Sequence, residues 1–494
     1  VFKWPWKRHA EPARRHLQNF SQYSGAQLSR FVDFYNALEV AHKERLKDLR
    51  RLRAHSRDLV KNNVYAARYS ELVVTNLVGA DGINFQSEIK SSSGQTKGNW
   101  NKIIEAAWKE WGKACTVDGD KSWVDVQQLA AKTASDDGET LIRLVRGYPN
   151  IFGFALEPID PDRLDDQWNL PLENGNRIIG GIEVDAWGRR QAYWIWSAHP
   201  QDWDAAPRRV RVPAGEIIHL GREGRVQGYR GLPWTTPAMV QLNMLSRLWT
   251  SELVAANWDA DRLAVLQTQS GTDPNEVTSP EETGKDLPSD LGTILALDPG
   301  QEMKFFPPNH PNSVLPQFTS YLLKGAASSL NVAYHSLSGD LAESKFSSDR
   351  TALVQERDGW RLLQGWLIRR FCNPVYQAWL EAAMFHGAVS IPVADPARAC
   401  APRWAARNWD WVDPLKDVQA STQAIAFGLS TYQDELGAQG KAWEEVFEQR
   451  AREQEKARSL GLVLEAKPST TVNTTEEPGG EDPQGEGGKP GEGK

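Results

Sequence analysis

The sequence predicts an α+β fold, mostly helical, with one antiparallel β region set inside it. Two observations carry this. Before residue 137 and after residue 233, apolar residues recur at helical spacing over long blocks. Between 139 and 221 the spacing changes to alternation, with turn residues between the runs.

Residues 1–48 are mixed and basic, with helical stretches around 26–47. Residues 50–78 read as one helix, because Leu52, Leu59, Val60, Val64, Ala67 and Val73 recur near helical period and Gly79 and Gly82 end the run. Its first part carries Arg50, Arg51, Arg53, Arg57 and Lys61. A solvated basic face is the expectation, with a phosphate- or partner-binding face as the alternative. A second helical block over 99–136 is anchored by Trp100, Ile104, Trp108 and Trp111 and breaks near 117–120. Strands are expected at 140–146 and 152–158. The runs 178–184 and 191–196 alternate around Asp185-Ala186-Trp187-Gly188, a hairpin signal with Gly where positive φ is wanted. Two more strands fall at 209–212 and 216–220.

Helix resumes over 234–261, started by Pro233 and Pro237, for a length of roughly 40 Å. A polar loop at 268–291, two strands at 292–297 and 301–306 and a helix at 312–331 follow. The two helices therefore flank a small β excursion. After an irregular stretch at 332–348, a long helix runs to 385 through Leu353, Trp360, Leu363, Leu367, Phe371, Val375 and Trp379. Pro374 inside it predicts a kink, and Trp360 and Trp366 are expected to be buried. Residues 415–465 are helical again. The Gly, Pro and Glu-rich stretch 467–494 has almost no apolar content and reads as disordered.

Composition narrows the function classes. The 494 residues are enough for two to four domains. No apolar run reaches the roughly 18 residues of a bilayer span, and the opening Val1-Phe2-Lys3-Trp4 lacks a secretory apolar stretch; neither a membrane segment nor a leader is expected. Cys115, Cys372 and Cys400 lie far apart, which argues against a disulfide framework or a cysteine-based zinc site. The net charge of −7 disfavours tight sequence-independent DNA binding, since that affinity comes from Lys and Arg releasing phosphate counterions. Twenty-one tryptophans fit a Trp-rich core, extensive subunit contact or a sugar-stacking surface.

Motifs for chemistry are missing. There is no GxxxxGK[ST], no GxSxG and no HExxH. The densest acidic run is Glu157, Asp160, Asp162, Asp165 and Asp166. A Pro-Asp turn leaving a strand accounts for it; a carboxylate pair such as Asp160 with Asp162 is the enzymatic alternative. Ion pairs between Asp349, Glu356 and Asp358 and Arg350, Arg357 and Arg361 account for the charges on the long helix. No catalytic, cofactor-binding or metal-binding residue is assigned.

Several segments, in order along one chain, resemble the lambda-like portal family of tailed bacteriophages over about 50–462. They are TNLVGADGINFQS (75–87), GETLIRLVRG (138–147), LEPIDPDRL (156–164), GIEVDAWGRRQAYWIWSAHP (181–200) and RVPAGEIIHL (211–220). RGLPWTTPAMVQLNML (230–245), YHSLSGDL (334–341), FSSDRTALVQERD (346–358) and WDWVDPLKDVQASTQAIAFGLST (409–431) continue the series. The resemblance implies a portal fold of wing, stem, clip and crown, assembled as a ring, typically of twelve, around a central channel. The wing would take 1–233, with its β region at 139–221. Stem helices would take 234–331 around a clip at about 262–311. A tunnel loop at 332–348, a long wing helix and connection at 349–412, a crown at 413–465 and a tail at 466–494 would follow. It further implies a non-enzymatic virion protein at the capsid vertex, assembled in the host cytoplasm. Implied partners are double-stranded DNA, the terminase large subunit, a head-tail adaptor of the neck, the major capsid protein and a scaffold. By polarity and position, Lys345 and Arg350 near the tunnel loop and Lys324 on the second stem helix are the DNA-channel candidates. Another neck or baseplate component, and a Trp-rich carbohydrate-active enzyme, are the rival readings.

Overall fold

The computed structural model describes residues 40–89, 98–202, 204, 206–261, 265–268, 301–304, 314–342, 346–391, 400–409, 414–438 and 443–462. The fold is α+β and mostly helical. Helix α1 (Ala41–Asn62) is followed at once by α2 (Val64–Leu77), where sequence periodicity predicts a single helix. Asn63 causes the break. Its backbone is extended, and its side chain caps α2 by accepting from the amides of Tyr65 and Ala66 at 3.0 and 2.9 Å. A short polar side chain competes with helical hydrogen bonds in this way, which periodicity does not register. The Asn63 amide also donates to Leu242 O and Ser246 Oγ. Asn63→Ala is therefore expected to cost about 1–2 kcal/mol, read as a lowered denaturant midpoint. Asn63→Asp, which keeps the cap but loses the two donations, should cost less.

Strand β1 (Asn84–Ile89), α3 (Gly98–Trp111) and α4 (Trp123–Asp136) come next. A capping box starts α4: Ser122 Oγ accepts from Asp125 N while Asp125 accepts from Ser122 N. The β region then runs through β2 (Glu139–Arg146), β3 (Phe154–Ile159), β4 (Leu170–Pro171), β5 (Arg177–Ile179), β6 (Ile182–Val184), β7 (Arg190–Trp196), β8 (Arg209–Pro213) and β9 (Ile217–Gly221). The expected strand 178–184 is in fact β5 and β6. Gly180 and Gly181, at φ 54° and 80°, turn the chain between them. The eight strands make two antiparallel sheets, ordered β3-β2-β9 and β4-β5-β6-β7-β8.

Alternation along β2 decides what these sheets cover. Leu141 joins a small core with Ile159, Ile182, Tyr193, Ile195 and Val212 from both sheets. Ile142 and Leu144 point the other way, into the main core formed with the helices.

A 3₁₀ turn at Thr236–Ala238 leads into α5 (Met239–Asp261). Strands β10 (Val265–Thr268) and β11 (Gln301–Lys304) pair antiparallel, with Val265 opposite Lys304. The expected strand 292–297 lies outside the described residues. Helix α6 (Leu315–Leu330) packs on α5. It ends at Asn331, which holds the left-handed φ of 58°. Short helix α7 (Tyr334–Ser338) falls where an irregular stretch was expected.

Helix α8 (Phe346–Leu367) reaches α9 (Asn373–Phe385) through one π-helical turn, Ile368–Cys372. Pro374 has no N–H to donate and its ring crowds the carbonyl four residues back, so the ladder widens just before it. Strand β12 (Cys400–Ala405) pairs antiparallel with β1, Asn84 opposite Ala405. Sequence alternation had predicted neither of these two strands. Among the described residues, 421–437 and 443–462 form a separate C-terminal unit. No helix among the described residues is long and apolar enough to cross a membrane.

Candidate nucleic-acid interface and the buried charge joint

The basic run of α1 divides: Arg50, Arg51 and Lys61 are exposed, whereas Arg53 and Arg57 turn inward. Arg53 is 3% exposed, and its guanidinium reaches Glu139 Oε1 at 2.8 Å and Asp162 Oδ1 at 2.6 Å. Arg57 Nη1 lies 2.5 Å from Asp162 Oδ2, and its Nε lies 2.6 Å from Asp137 Oδ1. Arg50 pairs with Asp166. The basic helix and the acidic run 160–166 are thus each other's partners across more than 100 positions.

Glu139 is the centre of this joint. Its side chain is fully buried, yet it accepts from Arg53, from Arg230 Nε at 2.7 Å, from the backbone N–H of Gly231 at 3.0 Å and from His219 at 2.9 Å. Burial alone pushes the carboxyl upward; Arg230, His219 and Arg53 outweigh it and hold Glu139 well below the usual carboxylate range. Burial lowers His219 despite Glu139 beside it. The same joint explains two glycines. A Cβ on Gly231 would lie 2.0 Å from Gly138 O, and one on Gly138, at φ 89°, would lie 2.3 Å from the Leu232 carbonyl carbon. The start of β2 and the lead into α5 cross backbone to backbone there.

This arrangement accounts for the carboxylates of the acidic run. Asp160 accepts from Asp162 N at 2.8 Å, which is the expected Asp turn. Asp160, Asp162 and His199 place one possible ligand atom each within 4.8 Å of one another. Both Asp162 oxygens, however, are engaged by guanidinium groups. The carboxylates close turns and ion pairs, and the pairing needs no bound ion.

The three channel candidates fare differently. Lys324 is exposed on α6, its ammonium 5.4 Å from the Tyr334 ring centroid. Its neighbours Leu323, Ala326 and Ala327 are buried. Arg350 is half-buried on α8, just after its first turn. The adjacent Asp349 lies 4.0 Å from His335, which follows Tyr334 on α7. α7 thus touches both the helix of Lys324 and the helix start of Arg350. Lys345 lies outside the described residues.

What fixes this corner is a residue that charge patterning assigned to a solvated ion pair. Glu356 is buried and accepts from Ala333 N at 3.0 Å, Ser336 Oγ at 2.7 Å and Trp360 Nε1 at 3.0 Å. It ties the connection after α6 to α8.

Comparison with known proteins places this architecture. The family model for phage portal proteins of the lambda family matches residues 29–364. The probable portal protein of Halomonas phage phiHAP-1 is 30% identical over 446 residues, covering 87% of this chain and 86% of the relative. Portal protein B of Escherichia phage lambda is 25% identical over 466 residues, covering 84% of this chain and 86% of its own. The portal protein of Escherichia phage N15 is 24% identical over 473 residues, covering 86% and 87%. A chain from the neck of a native gene transfer agent particle, computed with C12 symmetry, is 12% identical with a TM-score of 0.43, covering 84% of this chain and 94% of that one. With two thirds of its length matched by the family model and a relative 30% identical to it covered over 86% of that relative's length, this chain belongs to the lambda family of phage portal proteins.

Proposed function

We propose that this chain is the ring subunit at one capsid vertex of a tailed phage, with about twelve copies surrounding a channel through which double-stranded DNA is packaged and later ejected. Membership of the portal family carries this reading. The long helix pair α5 and α6, flanking the β10–β11 excursion, supports the assignment of 234–331 to stem and clip. The segment 332–348 is then the tunnel loop, 349–412 the wing helix and its connection, and 413–465 the crown. The clip would dock the terminase large subunit and afterwards the neck adaptor. The outer parts would meet the major capsid protein and the scaffold during assembly in the host cytoplasm.

On this reading the protein performs no covalent chemistry, and ATP hydrolysis belongs to the terminase. A net charge of −7 suits a conduit. Each phosphate neutralised by Lys or Arg adds affinity through counterion release, and a wall that bound DNA tightly would stall it. A few cations then guide the strand: Lys345, Arg350 and Lys324. Native mass spectrometry tests the ring. A closed assembly of about 660 kDa, twelve chains of 55.3 kDa each, is expected; a monomer or dimer at every concentration overturns it. Replacing Lys324, Arg350 and Lys345 together by Ala should leave ring mass unchanged and lower packaged-DNA retention severalfold. Unchanged packaging and retention would remove these residues from the channel.

A further inference from the structure

Helix α7 has five residues, and isolated helices shorter than about 12–15 residues are marginal in water. Its N-cap is Ala333, whose side chain has no oxygen to offer the first amides. The missing acceptor comes from another helix. Glu356 of α8 takes the N–H of Ala333 at 3.0 Å and the hydroxyl of Ser336 at 2.7 Å. In a capping box a glutamate of the same helix binds the N-cap amide; here that role is filled across 23 positions of sequence. Gly359 lies three residues on from Glu356, on the same side of α8. A Cβ there would stand 2.7 Å from Asn331 Nδ2, so the left-handed end of α6 seats directly on α8. From the other side, Arg68 of α2 donates to Ser336 O at 3.3 Å, and Leu337 is buried. The place of α7 is therefore set by the helices around it rather than by its own five residues.

We propose that Glu356 is a positioning residue of the DNA channel: its carboxylate fixes α7 between Lys324 and Arg350, and the hold of the ring on DNA depends on that placement. The proposal rests on the portal reading above and names the residue that sets this part of the channel. Tyr334, the first residue of α7, has its ring centroid 5.4 Å from the Lys324 ammonium. His335 beside it lies 4.0 Å from Asp349, the neighbour of Arg350. Displacing α7 thus alters the surroundings of both cations at once. Glu356 is itself too buried to meet a phosphate, so it acts through α7. Its three donors are neutral, and its charge strengthens each bond.

Capsids filled through rings of the full chain test this, read as the fraction that keeps nuclease-protected DNA, beside hydrogen exchange in the rings. Glu356→Ala is expected to leave ring mass and Glu139–Arg146 protection unchanged and to lower retention severalfold. The amides of Leu337 and Gly339, which donate to the carbonyls of Ala333 and His335, should exchange about tenfold faster. Glu356→Gln keeps a carbonyl acceptor for α7 and should recover most of both losses. Trp360→Phe removes only the donor on α8 itself, so retention should match the parent. An equal loss of retention in Trp360→Phe would mean that Glu356 matters for stability alone, and overturns the proposal. Parental retention in Glu356→Ala, or unchanged α7 exchange, overturns it as well and leaves the portal reading standing. If Glu356→Ala forms no ring, Ser336→Ala, which cuts one of the two α7 bonds, decides by the same readings. Parent rings that hold no DNA overturn both.

Discussion

Glu139→Ala is expected to lower stability by about 3–5 kcal/mol, because it strands Arg53 and Arg230 as buried cations without their common partner. Both guanidinium groups are almost inaccessible, and Arg230 has only the carbonyls of Gly180 and Leu164 left. Glu139→Gln keeps the volume and one acceptor but loses the charge, so it should cost nearly as much. A Gln variant within about 1 kcal/mol of the parent would mean that packing, not charge, holds this joint. The acid limb gives an independent readout. The folded carboxyl sits well below the unfolded glutamate value near 4.3. Its stabilisation is therefore present in full above about pH 4.3 and lost as pH falls through the lower folded value. Glu139→Gln should flatten that limb. Because the joint binds α1 to β2, β9 and the lead into α5, the first amides released should be those of α1 and the start of β2.

The joint also marks where sequence reasoning reached its limit. Both halves were conspicuous as charge: the arginines from 50 to 57 and the aspartates from 160 to 166. Each was read as its own local feature, a solvated face and a turn, because pairing across 109 positions leaves no periodic trace. Glu139 fell just before the strand expected at 140–146 and was given no role. Its one signal was a carboxylate opening an otherwise apolar run. Elements whose apolar residues repeat were legible, as in α3, α4, β2, α5 and α8. Breaks made by hydrogen bonding were not, as at Asn63, although an Asn before a helical run is itself a cap signal. Strands β1 and β12 escaped because they are short, distant in sequence and recognisable only once paired. For the proposed channel, position and polarity suggested Lys345, Arg350 and Lys324. The tether that orders the surroundings of the last two, Glu356, was taken for a surface charge, since burial depends on α7 folding back over it.

Trp108→Ala is expected to cost about 3–5 kcal/mol, the range for truncating a large aromatic in a packed core. Trp108 is nearly inaccessible and lies at the centre of the aromatic cluster. Its ring centroid is 4.8 Å from Trp111, 5.0 Å from Trp379, 5.3 Å from Trp123 and 5.3 Å from Phe85. Those residues belong to α3 itself, α9, α4 and β1, so one side chain ties three consecutive elements to α9, which is remote in sequence. The high tryptophan count therefore builds a core here, as the first of the three sequence readings held. Trp108→Phe retains part of the contact and should recover a substantial share of the loss. Trp187 provides the contrast: it stands 85% exposed at the tip of the β6–β7 hairpin, and Trp187→Ala should change stability by no more than about 0.5 kcal/mol. Denaturant midpoints and near-ultraviolet circular dichroism measure both. If Trp108→Ala cost under about 1 kcal/mol, the cluster would be able to collapse around the gap, and α3, α9 and the β1–β12 pair would not depend on it for their docking. Hydrogen exchange at Asn84–Ile89 decides between the two outcomes, because those amides are protected only while β1 stays paired with β12 over this cluster.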